Sequence, residues 1–166
     1  MNNGLDLKFR PMTARLKNIQ KGFTLIELLV VIGILAVLLA IVLIAINPAR
    51  QFAQANNTKR TSDVNAILNA IHQFMADNNG TLPADMPAAG AAAEAISDGG
   101  ANICADLVTR YLAGLPQDPQ NNNGAPITAC GGAYDTNYEV SVSATDNRIT
   151  VAAPDAELTA TIEVTR

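Results

Sequence analysis

Apolar residues recur along this chain with three different periods, and each predicts a different element. Residues 28–46, LLVVIGILAVLLAIVLIAI, hold nineteen positions without a charge or an amide, and residues 23–26 extend the apolar character to the other side of Glu27. At about 1.5 Å per residue the stretch 23–46 predicts a helix roughly 36 Å long, enough to cross a hydrocarbon core of about 30 Å with some tilt. A helix on a soluble core keeps a polar face, whereas this one is apolar all round. The apolar region of a secretory signal peptide covers about 7–15 residues and ends at a small-residue cleavage site, so this run is too long for one.

Asn47-Pro48 ends the run, because proline disfavours helical geometry in the residue before it and lacks a backbone donor; a kink or break is expected there. Gly33 is a second soft point, worth up to about 1 kcal/mol against alanine. The period then changes. Val64, Ile67, Leu68, Ile71, Phe74 and Met75 recur at three- and four-residue intervals, predicting an amphipathic helix over 48–79 that stops at Asn78-Asn79-Gly80, with Pro83 just beyond. Residues 84–102 are rich in Ala and Gly and read as a surface excursion with one helical turn through Ala91 to Ile96. Ile103, Leu107, Val108, Tyr111 and Leu112 predict a short helix ended by Gly114.

The last period is two. Tyr138, Val140 and Val142 alternate with polar residues, Ile149 and Val151 do so after a turn at Thr145-Asp146-Asn147, and Leu158, Ala160, Ile162 and Val164 repeat the pattern after Pro154-Asp155. Three antiparallel strands are therefore expected, one face resting on the amphipathic helix. The predicted class is α+β: a leader at 1–22, a transmembrane helix at 23–47 and a head at 48–166, divided into a helix at 48–79, a variable helix-loop segment at 80–133 and strands at 134–166.

Charge orients this arrangement. Lys8, Arg10, Arg15, Lys17 and Lys21 against Asp6 give the first 22 residues +4 in a chain of net −4, so the N-terminus is expected in the cytoplasm and the head outside the cytoplasmic membrane. The remainder carries six basic and fourteen acidic side chains. Such a surface repels phosphate backbones, and no basic stripe with interleaved aromatics argues for nucleic acid. With no tryptophan and few aromatics, the head core must be built from Ile, Leu, Val and Ala.

Glu27 decides how the apolar helix is read. A carboxylate in a lipid-facing helix costs roughly 2.5–3.5 kcal/mol on insertion scales, so a partner or a function is expected; the alternative is that it reaches the headgroups from near the helix end. If the chain is cut after Gly22, Phe23 acquires an α-amino group with a reference pKa of about 8, cationic at neutral pH. A pair at about 4 Å with an effective dielectric near 20 interacts by about 4 kcal/mol, comparable with the insertion cost. The pair thus selects register between neighbouring helices rather than adding much net stability.

A basic leader, Gly22-Phe23-Thr24-Leu25-Ile26-Glu27 and an unbroken apolar helix together resemble the class III signal of the type IV pilin superfamily, which includes pilus subunits and the pseudopilins of type II secretion. The resemblance is specific over the first third of the chain. It implies that a prepilin peptidase cuts between Gly22 and Phe23 and N-methylates Phe23, and that Glu27 supports methylation and subunit docking. The leader is longer than in many members, and Pro48 lies nearer the end of the anchor than the usual helix-breaking residues. Leu115-Pro116-Gln117-Asp118-Pro119, followed by an Asn/Gly turn, resembles the segment after the variable loop of major pseudopilins.

Cys104 and Cys130 are the only cysteines, in a segment expected to be exported, so a disulfide is the natural reading and two unpaired thiols the alternative. Many pilins staple the C-terminal region in this way; here Cys130 precedes the strands. Asp118, Asp135, Asp146, Asn147, Asp155 and Glu157 offer oxygens for Ca²⁺, which pseudopilins resembling this chain bind in a C-terminal loop, but EF-hand spacing is missing and solvated turn carboxylates are the plainer explanation. No cofactor is therefore expected. His72, the single histidine, sits off the centre of the helix stripe with no companion nucleophile or base, and the Asn56 and Asn79 sequons carry no weight alone.

The function expected is structural: a pilus-like subunit that polymerises with copies of itself through an assembly machinery. Alternatives are a type II secretion major pseudopilin and a monomeric, membrane-anchored surface binding module that retains residues 1–22. An enzyme is the weakest reading, since no metal-ligand cluster or nucleophile motif is present.

Overall fold

The computed structural model describes residues 22–166, so the basic leader and its orienting charges, apart from Gly22, lie outside the described residues. The chain divides between Ala45 and Ile46 into two compact units. The first contains all but the last residue of helix α1, Leu25–Ile46. Its 22 residues have a mean hydropathy of 3.5 over the span that matters, and by length and composition it can cross a membrane. None of its side chains is buried. Gly33 does not interrupt it.

In the second unit, helix α2, Pro48–Asp77, begins where proline is best tolerated. Asn47 adopts the left-handed conformation (φ 46°, ψ 81°), and its side-chain oxygen accepts from the amide of Arg50 as the N-cap. The sequence thus breaks at Asn47 because that residue caps a new helix. At the far end Asn79 is left-handed (φ 54°) and the Gly80 amide donates to the Met75 carbonyl at 2.8 Å, a Schellman stop. Val64, Ile67, Leu68 and Ile71 are fully buried, and Phe74 and Met75 pack at the margin of the core.

The stripe of α2 lies on an antiparallel sheet of β1 (Glu94–Ser97), β2 (Asp135–Val142), β3 (Ile149–Ala152) and β4 (Glu163–Thr165), in that order. In β2 the even positions Thr136, Tyr138, Val140 and Val142 point inward, and Ile149 and Val151 of β3 join them. Pairing of Val140 with Val151 and of Val142 with Ile149 sets the register. The short helix α3, Cys104–Leu107, packs against α2, and Ile96, Ile103, Leu107 and Leu115, all fully buried, belong to the same core.

The α+β class is as expected, but the sheet has four strands rather than three. The additional strand, β1, occupies the Ala-rich segment where a helical turn is predicted. Its pairing with β2 through Glu94–Val140 and Ala95–Glu139, together with burial of Ile96, outweighs the helical preference of alanine, which is worth only about 0.7 kcal/mol or less per residue against most other side chains. The last strand is also much shorter than predicted: Leu158 and Thr159 are left-handed (φ 57° and 56°), which no strand tolerates, and only Glu163–Thr165 pair with β3. The helix expected from Ile103 onward stops at Leu107, because Thr109 turns left-handed (φ 74°) and donates to the Leu112 carbonyl at 2.7 Å.

Candidate functional site

Two constellations carry the chemistry, one in each unit. The first is the junction before α1. Thr24 caps the helix: its Oγ1 accepts from the amide of Glu27 at 3.3 Å, while Glu27 Oε2 accepts from the Thr24 amide at 3.0 Å and from Thr24 Oγ1 at 2.7 Å. Threonine followed three residues later by glutamate is a capping box, in which two otherwise unpaired amides of the first turn are satisfied reciprocally. The signal Thr24-Leu25-Ile26-Glu27 is legible in the sequence, although sequence reasoning did not single it out as a cap. It gives Glu27 a local partner within its own chain. Oε1 accepts no hydrogen bond from the described residues. Phe23 is 81% exposed, and Gly22 has open space where a Cβ would stand. Gly22, Phe23 and Glu27 thus stand exposed at and just before the start of α1.

The second constellation surrounds Arg60, whose side chain is completely buried on α2. Its Nε and Nη2 donate to the two oxygens of Asp118 at 2.6 and 3.1 Å, a bidentate pair. Its Nη1 donates to Glu157 Oε2 and to Asn57 Oδ1, both at 3.0 Å. Asn56 Nδ2 donates to the same Glu157 oxygen at 2.9 Å, and Asn57 holds the Glu157 backbone through both its amide and its carbonyl. The Asp118 hydrogen bonds, which outweigh the cost of burial, hold the guanidinium well within its charged form. The hydrogen bond from Asn56, followed by that from Arg60, draws the Glu157 carboxyl below the usual range.

One residue earlier, Lys59 Nζ donates to Asp63 Oδ2 at 3.1 Å and to the carbonyls of Gln117 at 3.1 Å and Gly124 at 3.4 Å. Asp63 Oδ2 also accepts from Tyr138 OH at 2.8 Å, and burial, reinforced by that carboxylate, pushes the Tyr138 phenol far up. Sequence reasoning did not single out Arg60 or Lys59. The signal was available: Arg60 stands four residues before Val64 and seven before Ile67, on the apolar stripe, where an ionised side chain needs a buried partner.

The candidate calcium ligands do not converge. Asp118 and Glu157 meet on Arg60. Asp135 and Asp155 are linked through Asn137, whose amide donates to Asp135 Oδ1 at 2.8 Å and whose Nδ2 donates to Asp155 Oδ2 at 3.0 Å. Asp146 and Asn147 form the turn beyond the opposite end of β2, where Asp146 Oδ1 accepts from the Arg148 amide. Among the described residues no three His, Cys, Asp or Glu side chains are grouped as a metal site. The donor set is not arranged around a cation: the oxygens of Asp118 and Glu157 hold a guanidinium, and those of Asp135 and Asp155 hold the nitrogens of Asn137.

Cys104 and Cys130 are bonded to each other, with Cα atoms 5.5 Å apart, tying α3 to the loop before β2. The loop between them carries the LPQDP segment, and Leu115 and Ile127 exchange backbone hydrogen bonds of 2.8 and 2.9 Å across it. His72 is half-buried on α2. An open cleft of about 380 Å³ between the end of α2, Leu82 to Ala89 and Val142 contains Asp85 as its one carboxylate and no nucleophile paired with a base.

Comparison with known proteins finds a family model and relatives of this chain. The family model for the prokaryotic N-terminal methylation motif matches residues 17–43. Core protein G of the type II secretion system of Aeromonas hydrophila is 32% identical over 114 residues, covering 64% of this chain and 71% of that protein. Fimbrial protein EcpC of Eikenella corrodens is 41% identical over 80 residues, or 47% of this chain and 49% of that protein. No solved structure gives a significant match.

Proposed function

Because this chain belongs to the type IV pilin superfamily, we propose that it is the structural subunit of a type IV pilus-like filament, cut between Gly22 and Phe23, methylated on Phe23 and assembled from the cytoplasmic membrane. The head is exported, the N-terminus starts in the cytoplasm, and the subunits leave the bilayer to form a head-to-tail helical polymer. The observation that carries this reading is the form of Glu27: a carboxylate on an apolar helix with one oxygen capping its own chain and the other accepting no hydrogen bond from the described residues.

Physical chemistry separates the roles of helix and carboxylate. Lipid tails are as apolar as leucine, so moving α1 from bilayer to filament gains little from hydrophobic burial itself. Roughly twenty apolar side chains at about 1.5–3 kcal/mol each instead oppose dissolution into water once the filament has formed. Choice of register falls to the one polar contact, Oε1 of Glu27 meeting the amine of a neighbouring Phe23. Prepilin peptidase and a membrane assembly machinery are the partners this route requires.

Glu27→Gln tests the charge separately from the cap, since glutamine also serves as the third residue of a capping box. The variant is expected to insert and to be cleaved, but to give few or no filaments in sheared fractions. Filaments of normal yield and length would show that Glu27 is needed only as a cap.

A second reading, a major pseudopilin of type II secretion, has its own support: the similarity to protein G extends over 71% of that protein, and the LPQDP segment is fastened to α2 through Asp118. Electron microscopy of shed fibres, identified by mass spectrometry, separates the readings, because a pilus extends from the cell surface. A mature protein that begins at Met1 would refute both and leave a monomeric anchored module.

A further inference from the structure

The loop of residues 116–124 and the segment around Glu157 present to α2 a set of oxygens of the kind a hard divalent cation takes: the carboxylates of Asp118 and Glu157 and the carbonyls of Gln117 and Gly124. Each of these four groups accepts at least one hydrogen bond from a side chain of α2. Arg60 binds both oxygens of Asp118 and one of Glu157, and Lys59 binds the two carbonyls. The two cations are adjacent in sequence. Arg60 extends from the buried stripe, and the half-exposed Lys59 reaches round to the rim.

We propose that Lys59 and Arg60 act as built-in counter-cations for this loop, so that the head folds and holds the loop on α2 without any divalent metal. A guanidinium suits the position: it is planar, keeps its charge when buried and binds one carboxylate through two parallel bonds while offering a third nitrogen to another. Gly124 lets the loop backbone pass beside the Lys59 side chain. A Cβ there would stand 2.7 Å from Lys59 Nζ, and the residue has φ 65°, a conformation few other residues adopt. Removing Arg60 leaves two carboxylates and Asn57 Oδ1 around an emptied space without the guanidinium that they bound, since Lys59 is engaged by Asp63 and the two loop carbonyls. The cation that compensates them in the variant is then a divalent metal from solution.

The inference concerns the head and holds whether or not the chain polymerises. It is tested on the full chain in detergent, following thermal unfolding by near-ultraviolet circular dichroism of Tyr111, Tyr134 and Tyr138, all of which lie in the head. The wild type is expected to melt at the same temperature in millimolar CaCl₂ and in EDTA. A rise in midpoint with Ca²⁺ would overturn the proposal without need of a variant. Arg60→Ala is expected to lower the midpoint by roughly 10 °C or more in EDTA and to recover part of the loss in Ca²⁺, whereas Arg60→Lys, which keeps a charge, loses less and responds less. A destabilised Arg60→Ala protein indifferent to Ca²⁺ would show that Arg60 fills space rather than replacing a metal.

Discussion

Reduction of the Cys104–Cys130 bond offers a direct measure of how the head is held together. The two cysteines are 26 positions apart, and closing a loop of that size restricts the unfolded chain by about 3.5 kcal/mol in the chain-entropy description. The folded loop has other fastenings that survive reduction. Leu115 is fully buried and exchanges backbone hydrogen bonds with Ile127, Asp118 is clamped by Arg60, and Lys59 holds two loop carbonyls. The native state should therefore change little, and most of the 3.5 kcal/mol should be lost from the folding equilibrium. For a unit spanning Ile46–Arg166, each kcal/mol corresponds to about 3–5 °C, so the midpoint is expected to fall by roughly 10–17 °C. The assay is tyrosine circular dichroism of the full chain in detergent with and without a phosphine reductant, repeated with Cys104→Ala/Cys130→Ala. A fall of less than about 3 °C would refute the entropic reasoning. Loss of the tyrosine signal at room temperature in the reduced protein would refute the claim that the other contacts hold the loop.

Two further outcomes follow from the head. Ile67→Ala removes a fully buried side chain from the centre of the α2 stripe and should cost about 2–5 kcal/mol, read as an earlier urea midpoint with unchanged slope. Glu157 has its carboxyl pKa lowered on folding, so its contribution is present above the unfolded value and is lost as pH falls through the folded one. Glu157→Gln should therefore be less stable than wild type at neutral pH, with the gap closing below about pH 4.3, the ordinary glutamate value; a constant gap from pH 7 to pH 3 would contradict that account.

The parts of this protein legible in one dimension are those whose energetics are local. A bilayer-length helix satisfies its backbone within itself and needs only an uninterrupted apolar run, so α1 could be read from residues 23–46 alone. The junction Gly22-Phe23 and Glu27 lies within a few residues, as does its capping box with Thr24. The α2 stripe and the alternation in β2 and β3 are likewise repeats of three to four and of two, each imposed by burial of one face. Even the stop at Asn78-Asn79-Gly80 is chemistry of adjacent residues.

What tertiary structure decided depends on partners far away in the chain. Glu94 and Ala95 are strand because Val140 and Glu139 stand beside them, and nothing in their Ala-rich surroundings says so. Leu158 and Thr159 alternate well enough for a strand, yet the Glu157 backbone is bound by Asn57, a hundred positions earlier, and the chain turns left-handed just after it. Acidic side chains that in sequence resemble metal ligands are divided among a guanidinium, an asparagine and a turn. Arg60 could be suspected from its place on the stripe, but that its partners are Asp118 and Glu157 follows only from the packing of loop and C-terminal segment on α2. A buried charge requires a counter-charge, and local pattern carries no information about which distant residue supplies it.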